Sequence, residues 1–350
     1  MINWNSLPVF EPNPDFRRLQ AVLERKLPQR PVLFEFFMND RLYNRLVPEM
    51  ANPANEVQRL QRIMLAFHRM GYDYANILPP GFSFTEGNIS RPKESSVSQN
   101  AGSILHNLDD FKHFTWPDPD LVDLDVLPRL AETLPDGMKL IVYGPGGVLE
   151  NAIELVGYED LCIMIKEDPH LADLIFAEIG TRLERYYQLV APFPFVGACI
   201  SNDDWGFKTH TLFRPSDMRR FVFPWHKRIV SAIHQAGKPA ILHSCGYFER
   251  VIDDVIDDMG YDARHSYEDG ILPVEKAYNR YHNRIAILGG IDLDFVCRSS
   301  PELIYHRSKA MLSRARAGGG SFALGTGNSV PEYVPDEKFL ALIRAAIDEW

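Results

Sequence analysis

The chain has 350 residues, 45% of them hydrophobic and 24% charged, with a formal net charge of −10. That balance describes a globular chain able to bury a large core, and it argues against a nucleic-acid backbone as partner, because phosphate neutralisation needs clustered Lys and Arg. The four cysteines are too sparse for a disulfide framework, no stretch approaches a membrane span, and the start MINWNSLPVFEPNPDFRR lacks the marks of a signal peptide, so a cytoplasmic location is expected.

Residues 1–30 form an extension ahead of the first β-rich run, PVLFEF (31–36). Asn55 is placed to cap a helix carrying Val57, Leu60, Ile63, Met64 and Phe67, which Gly71 terminates before the second run, YDYANI (72–77). Residues 79–118 are long and irregular, rich in Pro, Gly, Ser and aromatics. They read as a lid over a substrate or as a surface excursion without a role.

KLIVYG (139–144) and VGACIS (196–201) follow. Ser216 is expected to cap a helix running to 235 and ended by Gly237. AILHS (240–244), YDARHS (261–266) and IAILGG (285–290) come next. Pro301 suits the first turn of a helix over 301–316 that closes in the glycines 318–320, and SFALG (321–325) is the eighth run. Alternation of β and α elements implies a parallel sheet. Eight repeats predict an α/β fold of the (βα)8 TIM-barrel type, one domain over 1–350, with an open doubly wound sheet as the alternative.

Barrel enzymes place their chemistry at the carboxyl ends of the strands. Those ends carry Glu35 after the first run, Asp203, Asp204 and Trp205 after the fourth, and His243 and Cys245 after the fifth. His265, Glu268 and Asp269 follow the sixth, Asp292 the seventh, and Thr326 and Asn328 the eighth. A His, a Cys and several carboxylates at one mouth are the material of a metal or acid/base site. Each also has a plainer reading: His243 and Cys245 as core residues, Asp203 and Asp204 as turn caps, Asp292 as a loop brace. The aromatics Phe36, Phe37, Phe82, Phe84 and Trp205 suit either a pocket for a flat macrocycle or the core.

The blocks GPGGVLENAIELVGYEDLCIMIKEDPHL (144–171), NDDWGFKTHTLFRPSDMRRFVFPWHKRIV (202–230), AILHSCGYFERVIDDVIDDMGYDA (240–263), ILGGID (287–292) and LGTGNSVPEYVPDEKFLALI (324–343) resemble, in order and spacing, the uroporphyrinogen decarboxylase superfamily, which includes cobalamin-dependent methyltransferases. The resemblance implies a (βα)8 barrel. It departs from the decarboxylase branch, which carries arginines after the first strand, an aspartate after the second and a histidine in the last loop. Here LFEFFMNDR, NILPPG and Thr326 stand at those places. It is nearer the methyltransferase branch, which holds zinc through a His-x-Cys pair after strand five, matched by His243 and Cys245, and through a cysteine in the last loop, where this chain has Thr326.

The resemblance therefore implies zinc-assisted methyl transfer between a corrinoid, free or carried on a corrinoid protein, and a small-molecule donor or acceptor. His243 and Cys245 are the expected metal ligands. Glu268 is the first choice for the third, ahead of Asp203, Asp204, Glu35 and His265. Asp203, Asp204 and Glu268 are the candidate catalytic residues, and Glu35, Trp205, Asp292, Thr326 and Asn328 are expected to bind substrate. The alternatives are a divergent decarboxylase-like enzyme of porphyrin metabolism, a metal-free enzyme using the rim carboxylates, and a non-catalytic corrinoid- or tetrapyrrole-binding module.

Overall fold

A computed structural model of the chain describes residues 2–85 and 103–350. Seven parallel strands lie side by side in sequence order: β1 (Tyr74–Ile77), β2 (Lys139–Tyr143), β3 (Val196–Asn202), β4 (Ala240–His243), β5 (Ala263–His265), β6 (Ala286–Leu288) and β7 (Phe322–Ala323). Helices fill the connections, as right-handed crossovers between parallel neighbours require.

The first apolar run, 31–36, forms a bridge in place of a full strand. Leu33 pairs in parallel with Leu324 just beyond β7, with Phe34 N–H donating to Leu324 O at 2.8 Å and Leu324 N–H donating to Val32 O at 2.7 Å. On its other side the run meets β1 through side chains. The Tyr74 hydroxyl bonds both Glu35 N–H and Glu35 C=O at 2.7 Å, and Asn76 Nδ2 donates to Glu35 O at 2.8 Å. The ring thus closes into the expected barrel, with hydroxyl and amide groups standing in for the backbone ladder on one seam. Gly325 permits the close approach there, since a Cβ on it would lie 1.6 Å from Phe34 O.

Helix boundaries follow local chemistry. Asn55 caps Glu56–Arg69 by accepting Gln58 N–H at 3.0 Å, and Gly71 ends it at φ +86°. The helix expected from Ser216 to 235 is instead two, Pro215–Phe221 and Phe223–Gln235. Pro224 in the first turn of the second has no N–H to continue the earlier ladder, and Pro215 takes the starting position assigned to Ser216. The helix Pro301–Ala317 begins at Pro301 and stops at Gly318, as expected.

The N-terminal extension packs at the amino-end base of the barrel. Phe16–Leu23 buries Phe16, Leu19, Val22 and Leu23, and the Phe16 ring occupies the space that a side chain at Gly197 would take. Asp73, just before β1, pairs with Arg18 at 3.0 Å and Arg30 at 3.5 Å. The carboxyl-end mouth lies opposite this base. Of the 79–118 segment expected as a cover, residues 86–102 lie outside the described residues. Its described flanks pack inward, with Phe82 stacked on Tyr186 and the Ile104 and Leu105 N–H groups donating to Leu155 O. No helix among the described residues is long and apolar enough to cross a membrane.

Candidate metal centre

Strand register assembles the site. Asn202 pairs with His243 across β3 and β4, and His243 with His265 across β4 and β5. Two residues beyond the first pair lie Asp204 and Cys245, so register alone brings a carboxylate to the His-x-Cys motif. The two loops then touch: Gly246 adopts φ +85°, and a Cβ there would sit 1.9 Å from Gly206 O. Asp204 Oδ1 accepts Cys245 N–H at 2.7 Å, tying one loop to the other.

The result is a group in which the ligand atoms of Asp204, His243 and Cys245 lie within 4.8 Å of one another, the one cluster of three such residues among those described. Cys245 Sγ is 3.8 Å from His243 Nε2. A tetrahedral zinc with ordinary Zn–N and Zn–S bonds separates such atoms by about 3.6 Å, so the donors present fit that ion in both type and spacing. Asp204 and Cys245 keep partial solvent access while His243 is buried, which leaves an approach from the mouth.

Behind the three lies a polar layer. His243 Nδ1 is 2.7 Å from His265 Nδ1, and His265 Nε2 is 3.2 Å from Thr326 O. Phe36 packs on the His243 ring and Phe34 on that of His265, with centroids 4.4 and 5.3 Å apart. Burial pushes His265 down to about 3 and His243 well below its ordinary value, so both rings are neutral near pH 7. Asn328 Nδ2 donates to Cys245 Sγ at 3.2 Å and Ser266 Oγ at 3.5 Å. Burial, reinforced by Asp204, pushes the Cys245 thiol up. Without a metal this residue is a thiol, and a metal would have to displace its proton.

The other expected site residues take different places. Glu268, the first choice for a third ligand, stands outside the cluster: its backbone carbonyl accepts Ile271 and Leu272 N–H, and Asp204 occupies the position beside Cys245. Asp203, read as catalytic, is fully buried, with its carboxylate accepting Leu149 and Glu150 N–H at 3.0 and 2.9 Å and meeting His226 Nε2 at 2.8 Å. It thus caps the helix Val148–Val156. Asp292 caps Leu293–Arg298 through Phe295 N–H and accepts Asp269 N–H. Trp205 is buried against Phe223 and His226. Phe36, Phe82 and Phe84 are core residues, whereas Phe37 is exposed.

Glu35 and Thr326 form a buried pair. Thr326 Oγ1 lies 2.6 Å from Glu35 Oε1 and also meets Asn328 O, Thr326 N–H donates to Glu35 Oε2 at 3.2 Å, and burial raises Glu35 to about 8. At pH 7 Glu35 is therefore mostly neutral, and the Thr326 hydroxyl faces its carboxyl group while the Thr326 carbonyl meets His265.

Two residues carried no sequence signal. Glu150 caps Gly147 N–H at 3.0 Å, and burial with the neighbouring Asp204 and Asp203 carboxylates pushes it well above the ordinary range. Arg264 is fully buried with its guanidinium over the Phe248 ring, donating to Ser244 O at 2.9 Å and also to Ser266 O. Burial lowers it to about 10. A Glu inside an amphipathic helix and a lone Arg inside a short strand offer no local pattern that marks them.

The uroporphyrinogen decarboxylase (URO-D) family model matches residues 92–349. A methyltransferase from Methanosarcina mazei superimposes with a TM-score of 0.70 at 15% identity, covering 95% of this chain and 97% of that one. A putative vitamin-B12 independent methionine synthase from Listeria monocytogenes gives a TM-score of 0.48 at 13% identity, with 92% and 99% covered. A β-glycosidase from Thermosphaera aggregans gives 0.46 at 10%, with 91% and 97% covered. No curated protein sequence matches. At 15% identity the Methanosarcina superposition speaks to the fold alone, whereas the family match spans most of the chain, and this protein therefore belongs to the uroporphyrinogen decarboxylase family.

Proposed function

We propose that the protein is a corrinoid-dependent methyltransferase of this family, transferring a methyl group between a corrinoid and a small donor or acceptor at a zinc centre held by Asp204, His243 and Cys245. The observation that carries the reading is the convergence of a carboxylate, an imidazole and a thiol within 4.8 Å at the carboxyl ends of β3 and β4. The Methanosarcina methyltransferase of the same barrel shape supports it.

When bound, zinc supplies Lewis acidity, lowering the pKa of a coordinated thiol acceptor so that it is held as the thiolate. The protein's own groups prepare for this. Asp204 anchors Cys245 by accepting its N–H, and Asn328 and Ser266 donate to Sγ, bonds that strengthen when the sulfur is anionic. The partly exposed face of Asp204, Cys245 and Asn328 is where the small substrate would enter.

Freshly purified protein should contain about one zinc per chain, falling below about 0.1 in His243→Ala and Asp204→Asn, while Glu268→Gln retains it. Elemental analysis reads the metal, and an absorbance titration with methylcobalamin and a thiol reads loss of the methyl–cobalt chromophore. Metal-free protein with undiminished methyl transfer, or metal-independent release of CO2 from uroporphyrinogen, would overturn the proposal.

A further inference from the structure

The zinc reading leaves the buried imidazole of His265 unused. His265 lies directly behind His243, meeting its Nδ1, whereas Cys245 lies on the Nε2 side. Its contacts form a chain in which proton positions are forced. Thr326 O, a carbonyl, can only accept, so the 3.2 Å contact requires the proton on His265 Nε2. That carbonyl is held independently of His265, because Gly290 N–H donates to it at 2.8 Å.

The next contact, Nδ1 to Nδ1 at 2.7 Å, needs one proton between two nitrogens. If it sat on His265, that ring would carry both protons and be a cation, fully buried between Phe34 and the strand ends with no carboxylate among its hydrogen-bond partners. The proton therefore belongs to His243 Nδ1. His243 Nε2, on the side of Cys245, is then left with a bare lone pair, the form a metal ligand must take.

We infer that His265 is a positioning residue that reads the fixed Thr326 carbonyl and passes its polarity to His243, locking His243 in the Nδ1–H tautomer with Nε2 presented to Asp204 and Cys245. The inference rests on the metal-centre reading for its purpose, though the tautomer itself does not depend on a metal. The lock is built into the packing: Phe36 holds the His243 ring in place, and Gly289 leaves room for His265, since a Cβ there would lie 2.7 Å from the imidazole Cδ2.

Two measurements test this. Long-range 1H–15N correlation spectra of metal-free protein should show His243 as the Nδ1–H tautomer and His265 as the Nε2–H tautomer; His243 found with its proton on Nε2 would overturn the inference. In competition titrations with zinc, His265→Phe, which keeps the ring volume without the acceptor, should bind about 10- to 100-fold more weakly. His265→Asn, whose Oδ1 can accept at the place of Nδ1, should recover much of that loss. Wild-type affinity in His265→Phe would sink the proposed role, and the wild-type spectrum decides if that variant does not fold. The expected tautomers in a protein that takes up no zinc would count against the metal reading alone, whereas tight zinc binding with the wrong tautomer would count against this inference alone.

Discussion

Glu35 carries its carboxyl group at a place in the barrel that disfavours the charged form. It is fully buried, its carboxyl group hydrogen-bonded by Thr326, and burial lifts it from an ordinary 4.5 to about 8. A folded-state pKa above the unfolded value means that the folded protein binds the extra proton. The resulting stability is fully present below about pH 4.5 and is lost as pH rises toward 8. Glu35→Gln removes the titration, so urea unfolding between pH 5 and 8 should show wild type losing on the order of 1 kcal/mol per pH unit relative to the variant. Parallel pH profiles would show that Glu35 is ionised in the fold. Glu35 was legible in the sequence as a carboxylate at a strand end, but its partner and charge state were not. Both depend on Thr326 arriving from 291 residues away.

At the scale of elements, the site depends on two loops meeting after β3 and β4. Gly246 is the crossing point, with φ +85° and the Gly206 carbonyl 1.9 Å from where a Cβ would stand. Gly237 has a similar φ of +70° and nothing within 4 Å. Alanine at 237 should therefore cost only about 1 kcal/mol, for the left-handed backbone. Alanine at 246 must also push the Asp204 loop away, and should cost more than about 2 kcal/mol and abolish zinc retention. Chemical denaturation and metal analysis of the two variants check this, and equal effects would mean that the loops do not depend on the contact. The His-x-Cys motif was visible as a motif. Asp204, and not Glu268, lies beside it because adjacent strands share register, a relation between segments about forty residues apart that no local pattern records.

In the whole molecule, the packed base and the ligand cluster occupy opposite ends of the barrel. The base is sealed by the N-terminal helix, whose Phe16 ring is 7% exposed and fills the gap over Gly197, while the ligand cluster sits at the carboxyl-end mouth. Phe16→Ala should therefore cost about 3–5 kcal/mol in unfolding free energy. Zinc content per folded chain should stay unchanged, as read by denaturant titration beside elemental analysis; a loss of metal in proportion to stability would show the two ends to be coupled.

The sequence by itself determined the alternation of apolar runs and amphipathic helices, and with it a parallel sheet, for which a closed barrel was the first expectation. It also determined the His-x-Cys pair at a strand end and the limits of the helices after Asn55 and from Pro301, because periodicity, caps and glycine stops act within a few residues. It misjudged the helix after Arg214, where Pro224 interrupts a pattern that reads as continuous. Only the tertiary structure decided which carboxylate joins His243 and Cys245, that Asp203 and Asp292 are helix caps, and that the first run closes the ring partly through Tyr74 and Asn76. The reason is physical: a ligand set is a distance relation among side chains from different strands. Register, loop crossings and burial, which fix those distances and charge states, exist only once the sheet has curled on itself.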